Sequence, residues 1–538
     1  MRAPFSRTAF DLLAEQAAAA PHHDAVISAA GHLSYGDLLY RARRVAGYLR
    51  EAGVKRGDRI GLLANNRAEW LEIFFGIAAL GAVVVPFSTW STTRELAFLL
   101  GDSEVSWMFT IAAFGDRRFG EDIVQLAATG RSQHLKHVVL IDDEGARPPG
   151  QDTIAYRDVA ASQPIDDVLP GNGASANDIL TILYTSGSSS RPKAVPLDHY
   201  AAIENGFNIG RRQGLRGSDR VLLSIPLFWS YGAVNALPAI LSHGATMVLQ
   251  SHFEPTGALD LIEAHQCTAI YTLPAMTNAL VANDAFRLER TESLRTGVTI
   301  GAPQDIIRAA NELGASEMCN IYGGTENYGN CCVTPHHWPL EQRSVCQGPP
   351  LPGVQVRIRD PESGELLAPG QVGSIEVKGY LTRGYAGQSS RFNAETFTDD
   401  GYFRTGDLGA LGEDGAMRFA GRSSEMIKRS GINVSPSEVE EVLQNHPSVG
   451  LAAVTGVDDA DRGEIIVAYV TAANDGSTDP DDILAFCKEH LSRYKIPDHL
   501  VVTETLPLTV TGKVMRRELK TLATNAFSAG SGAGQSGE

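Results

Sequence analysis

An α/β fold is predicted: a large N-terminal part built of parallel-rich sheets flanked by helices with a small β-barrel-like subdomain, then a small mobile α+β part. Three observations carry this prediction. Between about 33 and 86, stretches with apolar residues at helical spacing alternate with short apolar runs, as in parallel strands covered by helices. The alternation returns around 219–224, 245–250 and 268–273, each strand preceded by a helix-like stretch. From about 350, apolar and polar residues alternate one by one, the pattern of half-exposed antiparallel strands.

Taken in order, Tyr35–Glu51 reads as a helix with Leu38, Leu39, Ala42, Val45, Ala46 and Leu49 on one face. Arg59–Leu63 is a short apolar strand entered from Gly57-Asp58. A helix through Trp70, Phe74 and Ala78 follows, then the buried-strand run 82–86. Beyond 350, VQVRIRD and GSIEVKG supply the alternating strands. After Gly421 the texture changes again. Ser435-Pro436-Ser437-Glu438 reads as a helix start, with serine as cap and Glu438 three residues on. Strand-like LAAVTGV and EIIVAYV precede an amphipathic helix at 480–492. The expected division is 1–423, a mobile domain at 424–523, and a glycine- and serine-rich disordered tail at 524–538.

The chain of 538 residues is long enough for a large buried core. No run approaches the roughly 20 apolar residues of a membrane helix. The N-terminus carries acidic residues and no signal-peptide core, so a cytoplasmic location is expected. A formal net charge of −17 disfavours nucleic acid and anionic membrane surfaces as partners. It leaves room for small anionic ligands, which need only a local positive pocket. The six cysteines form no CxxC pair, which argues against a zinc site or disulfide framework.

Five segments carry chemistry. In LYTSGSSSRPKAV, an apolar strand runs into a loop of Thr185, Ser186, Gly187, Ser188 and Ser189, then reaches Lys193. Backbone N–H groups and hydroxyls in such a loop can wrap polyphosphate oxygens, and the lysine adds a point charge. The spacing is not that of a Walker A loop, and a plain polar loop is the bland alternative. In NIYGGTEN, glycines let a flat ring approach the backbone and Glu326 offers hard oxygen to Mg²⁺ on phosphates. A merely solvated glutamate is the competing reading. In GYFRTGDLG, Asp407 can accept from two ribose hydroxyls, or simply close a turn. GRSSEMIKRSGINVSPSEVE is the fourth segment, and LPLTVTGKVMR, with Lys513 on a Thr-Gly turn, is the fifth.

In this order the segments resemble the acyl- and aryl-CoA synthetase branch of the adenylate-forming superfamily, which also holds firefly luciferase and the adenylation domains of nonribosomal peptide synthetases. The resemblance runs from Leu33-Ser34-Tyr35 to Lys513 and takes in Pro226-Leu227-Phe228, Gly301-Ala302-Pro303 and Arg383-Gly384-Tyr385. It implies an ATP-dependent acid–thiol ligase. A carboxylic acid and ATP would give acyl-AMP and pyrophosphate; acyl transfer to coenzyme A would then release AMP. It also implies roles. Thr185 to Lys193 would hold the ATP phosphates. Gly301, Ala302, Pro303, Tyr322 and Gly323 would frame the adenine. Thr325 would touch phosphate and Glu326 would bind Mg²⁺. Asp407 would hold the ribose, with Arg422 nearby. Lys513 would bridge the attacking carboxylate and the α-phosphate; with Glu326 and Thr185 it completes the catalytic set. The small domain would then rotate about Ser424, withdrawing Lys513 and bringing Gly431 to the pantetheine channel. The chemistry fits: a carboxylate attacking an α-phosphate joins two anions, and cations must offset their repulsion.

The chain departs from the family pattern at Ser190 and Ala194, where glycines are usual. Serine at a left-handed position adds strain of about 1 kcal/mol. Trp229 stands where many members have His, as pocket wall or gate, or else as a core residue. The acid pocket is expected near Trp229, Tyr231, Gly232, Asn235, Thr299, Gly323, Gly324 and the stretch from Tyr328 to Cys332. These neutral, partly aromatic residues favour an apolar aryl, alicyclic or alkyl acid over an amino acid. Cys331-Cys332 reads as packing beside that pocket. Three alternatives stay open: a carrier-protein phosphopantetheine as acceptor, oxidation of the adenylate as in luciferases, and an inactive nucleotide-binding homologue.

Overall fold

A computed structural model describes residues 3–129, 133–142, 153–165, 173–185, 192–388, 390–429, 432–459, 462–473, 479–509 and 513–527. The chain forms two compact units, one of Met1–Gln355 with Lys378–Phe403, the other of Val356–Val377 with Arg404–Glu538.

Among the described residues the first unit carries two large sheets. One runs in the order Ile154–Ala155, His137–Leu140, Trp107–Thr110, Arg59–Leu63, Val83–Phe87, Ile179–Thr185, Lys193–Asp198. Its pairs are parallel until the last, where Ile179–Thr185 and Lys193–Asp198 form an antiparallel hairpin. The other runs Cys332–Val333, Glu317–Tyr322, Thr296–Thr299, Ala269–Tyr271, Arg220–Leu223, Thr246–Leu249, Asp24–Ser28, Gly31–Ser34. Only its two edge pairs are antiparallel. Helices cover parallel sheets on both faces, and the strands show it: Val83–Phe87 and Thr246–Leu249 are buried at every position.

Helix Tyr35–Glu51 starts where its chemistry demands. The Ser34 hydroxyl accepts from the Asp37 N–H while the Asp37 carboxylate accepts from the Ser34 N–H, a capping box. Its apolar face meets helix Ala68–Ala79 so closely that a Cβ on Gly76 would stand 2.6 Å from the Val45 Cβ. Helix Ala68–Ala79 is buried nearly all round, and its Glu72 is held by the Tyr156 hydroxyl at 2.6 Å and Arg41 at 3.0 Å. A buried carboxylate needs such partners.

The second unit contains the small β subdomain, a four-stranded sheet of Gln355–Arg359, Gly373–Lys378, Phe403–Leu411 and Met417–Arg422. A five-stranded sheet follows, centred on the hairpin of Val449–Asp459 with Gly463–Ala472. Its residues alternate between two cores. Val454 and Ile466 pack with Val439 and Leu443 on one face; Ala453 and Val467 pack with Leu519 and Ala523 on the other. Helix Pro436–Gln444 begins at the expected place, but Ser435 does not cap it. The Ser435 hydroxyl donates to the Ala420 carbonyl at 2.5 Å instead, and Glu438 pairs with Lys495. The helix expected at 480–492 is Pro480–His490, stopped by an extended Leu491. The last helix, Arg516–Phe527, runs past 523; residues 528–538 of the expected tail lie outside the described residues. No helix among the described residues is long and apolar enough to cross a membrane. All six cysteines are buried, and none is in a disulfide.

Candidate active site

In the first unit the hairpin register sets Thr185 opposite Lys193, so both stand at the base of the serine-rich loop. Ser186, Gly187, Ser188, Ser189 and Ser190 lie outside the described residues. Ala194 lies in the strand itself, a conformation alanine adopts freely, and its carbonyl accepts from the Ala386 N–H at 3.0 Å. The Lys193 ammonium stands 4.5 Å from the centre of the Phe392 ring and 5.2 Å from that of Tyr385. The Tyr385 hydroxyl donates to the Glu326 carboxylate at 2.8 Å.

Glu326 sits on a 3₁₀ turn, Thr325–Asn327, that follows strand Glu317–Tyr322. The Gly324 N–H donates to the Asn327 side chain at 2.7 Å, and the Thr325 hydroxyl donates to Ser230 at 3.1 Å. Gly323 has no room for a side chain, since a Cβ there would stand 2.4 Å from the Gly329 carbonyl oxygen. Tyr328, expected in the acid pocket, is fully buried at a positive φ of 59°. Its hydroxyl accepts from the Asp198 N–H at 2.8 Å, so it ties this turn to the end of the Lys193 strand.

Strands Thr296–Thr299 and Glu317–Tyr322 are parallel neighbours, with Thr299 opposite Asn320. Gly301, Ala302 and Pro303 therefore emerge beside Tyr322 and Gly323, at the carboxyl ends where open α/β sheets bind ligands. Pro303 opens helix Pro303–Asn311, and the Ala302 N–H donates to Asp305 at 2.9 Å. Burial raises the Asp305 carboxyl above the ordinary range. Gly301, Ala302, Pro303 and Gly323 are half-buried, a low ledge against which a flat ring can lie.

Tyr231, Gly232 and Asn235 lie on a π-helix, Tyr231–Ala236, a form concentrated at functional sites. A Cβ on Gly232 would stand 2.2 Å from the Pro226 carbonyl oxygen. The Tyr231 hydroxyl donates to the Val298 carbonyl at 2.9 Å. Asn235 is wholly buried against Gly329, and of the expected pocket residues Gly232, Thr299 and Tyr328 are buried too, whereas Trp229, Tyr231, Gly323 and Gly324 keep some exposed surface. Sequence reasoning missed Trp90. It meets Trp229 edge to face, ring centres 4.6 Å apart, and Phe228 at 5.3 Å. A tryptophan inside a Ser/Thr-rich turn was the available signal. Ser230 links this aromatic group to Thr325, and hence to Glu326.

In the second unit Asp407 and Arg422 face each other across adjacent strands, 3.4 Å apart. The Asp407 N–H donates to the Thr405 hydroxyl at 3.1 Å, and Gly406 turns the chain at a φ of +76°. Lys513 is tied into its turn by the Thr509 N–H donating to its carbonyl at 2.8 Å and its own N–H donating to the Thr509 hydroxyl at 3.1 Å. The side chain keeps exposed surface, yet desolvation of the ammonium and then the like charge of Arg422 lower it below the usual lysine value. Ser424 lies on the short turn Ser423–Glu425, and Gly431 lies outside the described residues.

Magnesium fits the donor set at Glu326. Mg²⁺ favours one or two carboxylates with substrate phosphates over an all-protein cage. The half-buried Glu326 carboxylate, with one oxygen holding the Tyr385 hydroxyl, leaves the other to a cation.

The profile of the AMP-binding enzymes matches residues 13–386, and that of the AMP-binding enzyme C-terminal domain matches residues 438–513, ending on Lys513. The chain is 32% identical over 507 residues to a feruloyl-CoA synthase of an Amycolatopsis species, covering 93% of this chain and 96% of that protein. It is 30% identical over 516 residues to the acyl-CoA ligase sidI of Aspergillus fumigatus, covering 92% and 87%. Its fold is similar to the crystal structure of the anthranilate CoA ligase AuaEII in complex with anthranoyl-AMP, with a TM-score of 0.86, 25% identity, and 98% and 99% of the two chains covered. The chain belongs to the AMP-binding enzyme family, and it is an AMP-forming acid–thiol ligase working with ATP, Mg²⁺ and coenzyme A.

Proposed function

We propose that the acid activated by this ligase is an aryl or similarly flat apolar carboxylic acid, and that the acceptor is free coenzyme A rather than a carrier-protein arm. The observation that carries the acid is the aromatic wall of Trp90, Phe228 and Trp229, joined through Ser230 and Thr325 to the Glu326 turn. The relatives named for feruloyl and anthranilate ligation support the same class.

Each residue has one task. Thr185, Lys193 and the loop between them bind the phosphates. Gly301, Ala302, Pro303, Tyr322 and Gly323 seat the adenine. Asp407 accepts from the ribose hydroxyls, with Arg422 holding its carboxylate. Thr325 touches phosphate. Glu326 holds the metal, which when bound draws charge from the phosphate oxygens. Lys513 sets its ammonium between the attacking carboxylate and the α-phosphate, then withdraws as the chain turns about Ser424 and the Gly431 segment takes up the thiol arm. The second step is thiol attack with AMP leaving, which needs positioning more than new groups.

A panel of aryl, alicyclic and alkyl acids tests this, scored for pyrophosphate release with and without coenzyme A. The expected result is release that depends on an aryl acid and turnover that depends on coenzyme A. Preference for short alkyl acids, or turnover only with a loaded carrier protein, would overturn the reading. Lys513→Ala should slow adenylate formation about 10²–10³-fold, the cost of losing a well-placed charge-stabilising donor. Thioesterification of supplied acyl-AMP should stay near wild type; an equal loss in both half-reactions would refute two separate Lys513 positions.

A further inference from the structure

We propose that Tyr385 is a positioning residue that sets both the Glu326 carboxylate and the Lys193 ammonium before nucleotide arrives. It stands between them: its hydroxyl donates to Glu326 at 2.8 Å, and the face of its ring lies 5.2 Å from the Lys193 ammonium. Both contacts are within working range for a charge-assisted hydrogen bond and a cation–π pair. The side chain is almost wholly buried, so its direction is set by packing rather than solvent.

The backbone around it is stitched to both partners' elements. The Thr382 N–H donates to the Glu326 carbonyl at 2.7 Å, and the Thr382 hydroxyl donates to the Pro196 carbonyl at 2.7 Å. The Ala386 N–H donates to the Ala194 carbonyl at 3.0 Å. The Asn393 side chain closes the turn, accepting from the Tyr385 N–H at 3.0 Å and donating to the Tyr385 carbonyl at 3.3 Å. Gly384, at a φ of +122°, makes the bend. One residue thus spans the Lys193 strand and the Glu326 turn. The torsion of a glutamate carboxylate is soft. With one oxygen taken by the phenol, the other has a defined direction.

The inference rests on the reading of Glu326 as the metal carboxylate, and the test separates the two. Binding of ATP without acid is followed by calorimetry across a Mg²⁺ series, in wild type, Tyr385→Phe, Tyr385→Ala and Glu326→Gln. Tyr385→Phe keeps the ring and loses the hydroxyl. It should raise the Mg²⁺ concentration for half-maximal ATP binding about tenfold, as partners of metal ligands do. ATP affinity at saturating Mg²⁺ should stay within about twofold of wild type. Tyr385→Ala should also weaken ATP binding at saturating Mg²⁺, because Lys193 loses one of the two rings it stands over. A wild-type melting temperature certifies the fold of Tyr385→Phe, which alone decides the matter if Tyr385→Ala unfolds. If Glu326→Gln shifts the Mg²⁺ series and Tyr385→Phe does not, the positioning role is refuted and the metal reading stands. If neither shifts it, both are refuted.

Discussion

At Gly323 the need for glycine is steric. Its φ is not in the left-handed region; the neighbours are the constraint. An added Cβ would meet the Gly329 carbonyl oxygen at 2.4 Å and the Asn330 Cα at 2.5 Å. Both are backbone atoms and cannot swing aside, so the turn bearing Thr325 and Glu326 must move. Displacing positioned groups by about 1 Å can cost 10²-fold in rate. Gly323→Ala should therefore slow adenylate formation by about 10² or more while the far-ultraviolet circular dichroism stays that of the wild type. A variant with normal pyrophosphate release would show that the turn tolerates the shift. Gly232 faces the same constraint from the Pro226 carbonyl.

At the scale of elements, the turn that carries Trp90 and the π-helix that follows Trp229 form the wall of the proposed acid pocket. Trp90 is part-exposed and holds Trp229 by its edge. Trp90→Ala should let Trp229 tilt outward and widen the pocket. The ratio of kcat/KM for a bulky aryl acid to that for benzoate should rise roughly tenfold, the order expected when an apolar pocket changes by a methylene or more. An unchanged ratio would show that Trp229 holds itself. These elements also mark what the sequence disclosed. Helix Tyr35–Glu51 and strand Arg59–Leu63 were legible because helical spacing of apolar residues and a Gly-Asp turn before a short apolar run are local signals. The segment NIYGGTEN was read as a strand running into the loop that bears Glu326, and the structure has that strand and turn, whereas Asp407, read as a turn residue, stands within strand Phe403–Leu411. The π-helix was not legible, since periodicity over six residues does not separate it from an α-helix. Ser435 misled because its hydroxyl finds a carbonyl 15 residues away that no local pattern reveals. Trp90 and Tyr385 act through neighbours brought from distant parts of the chain, which spacing along one segment cannot encode.

At the scale of the whole molecule, two buried histidines tie the first unit to neutral pH. Nδ1 of His199 accepts from the Ala9 N–H at 3.1 Å, joining helix Ala9–Ala19 to helix His199–Gln213. That bond requires an unprotonated Nδ1. Nδ1 of His243 donates to the Ala239 carbonyl at 2.9 Å, which leaves its buried Nε2 bare. Burial lowers both imidazoles to about 4. In the unfolded chain they titrate near 6.5, so between about 6.5 and 4 the unfolded chain binds more protons than the folded one. Stability is therefore fully present above pH 6.5 and is lost as pH falls toward 4, by up to about 3 kcal/mol for each histidine. All five tryptophans, at 70, 90, 107, 229 and 338, lie in this unit, so their fluorescence reports it alone. Urea titrations at pH 7 and pH 5 should show a midpoint that falls with acid. His199→Asn can keep an acceptor for Ala9 without a proton to gain. It should reduce that fall; an equal fall in the variant would mean that His199 does not drive the acid response.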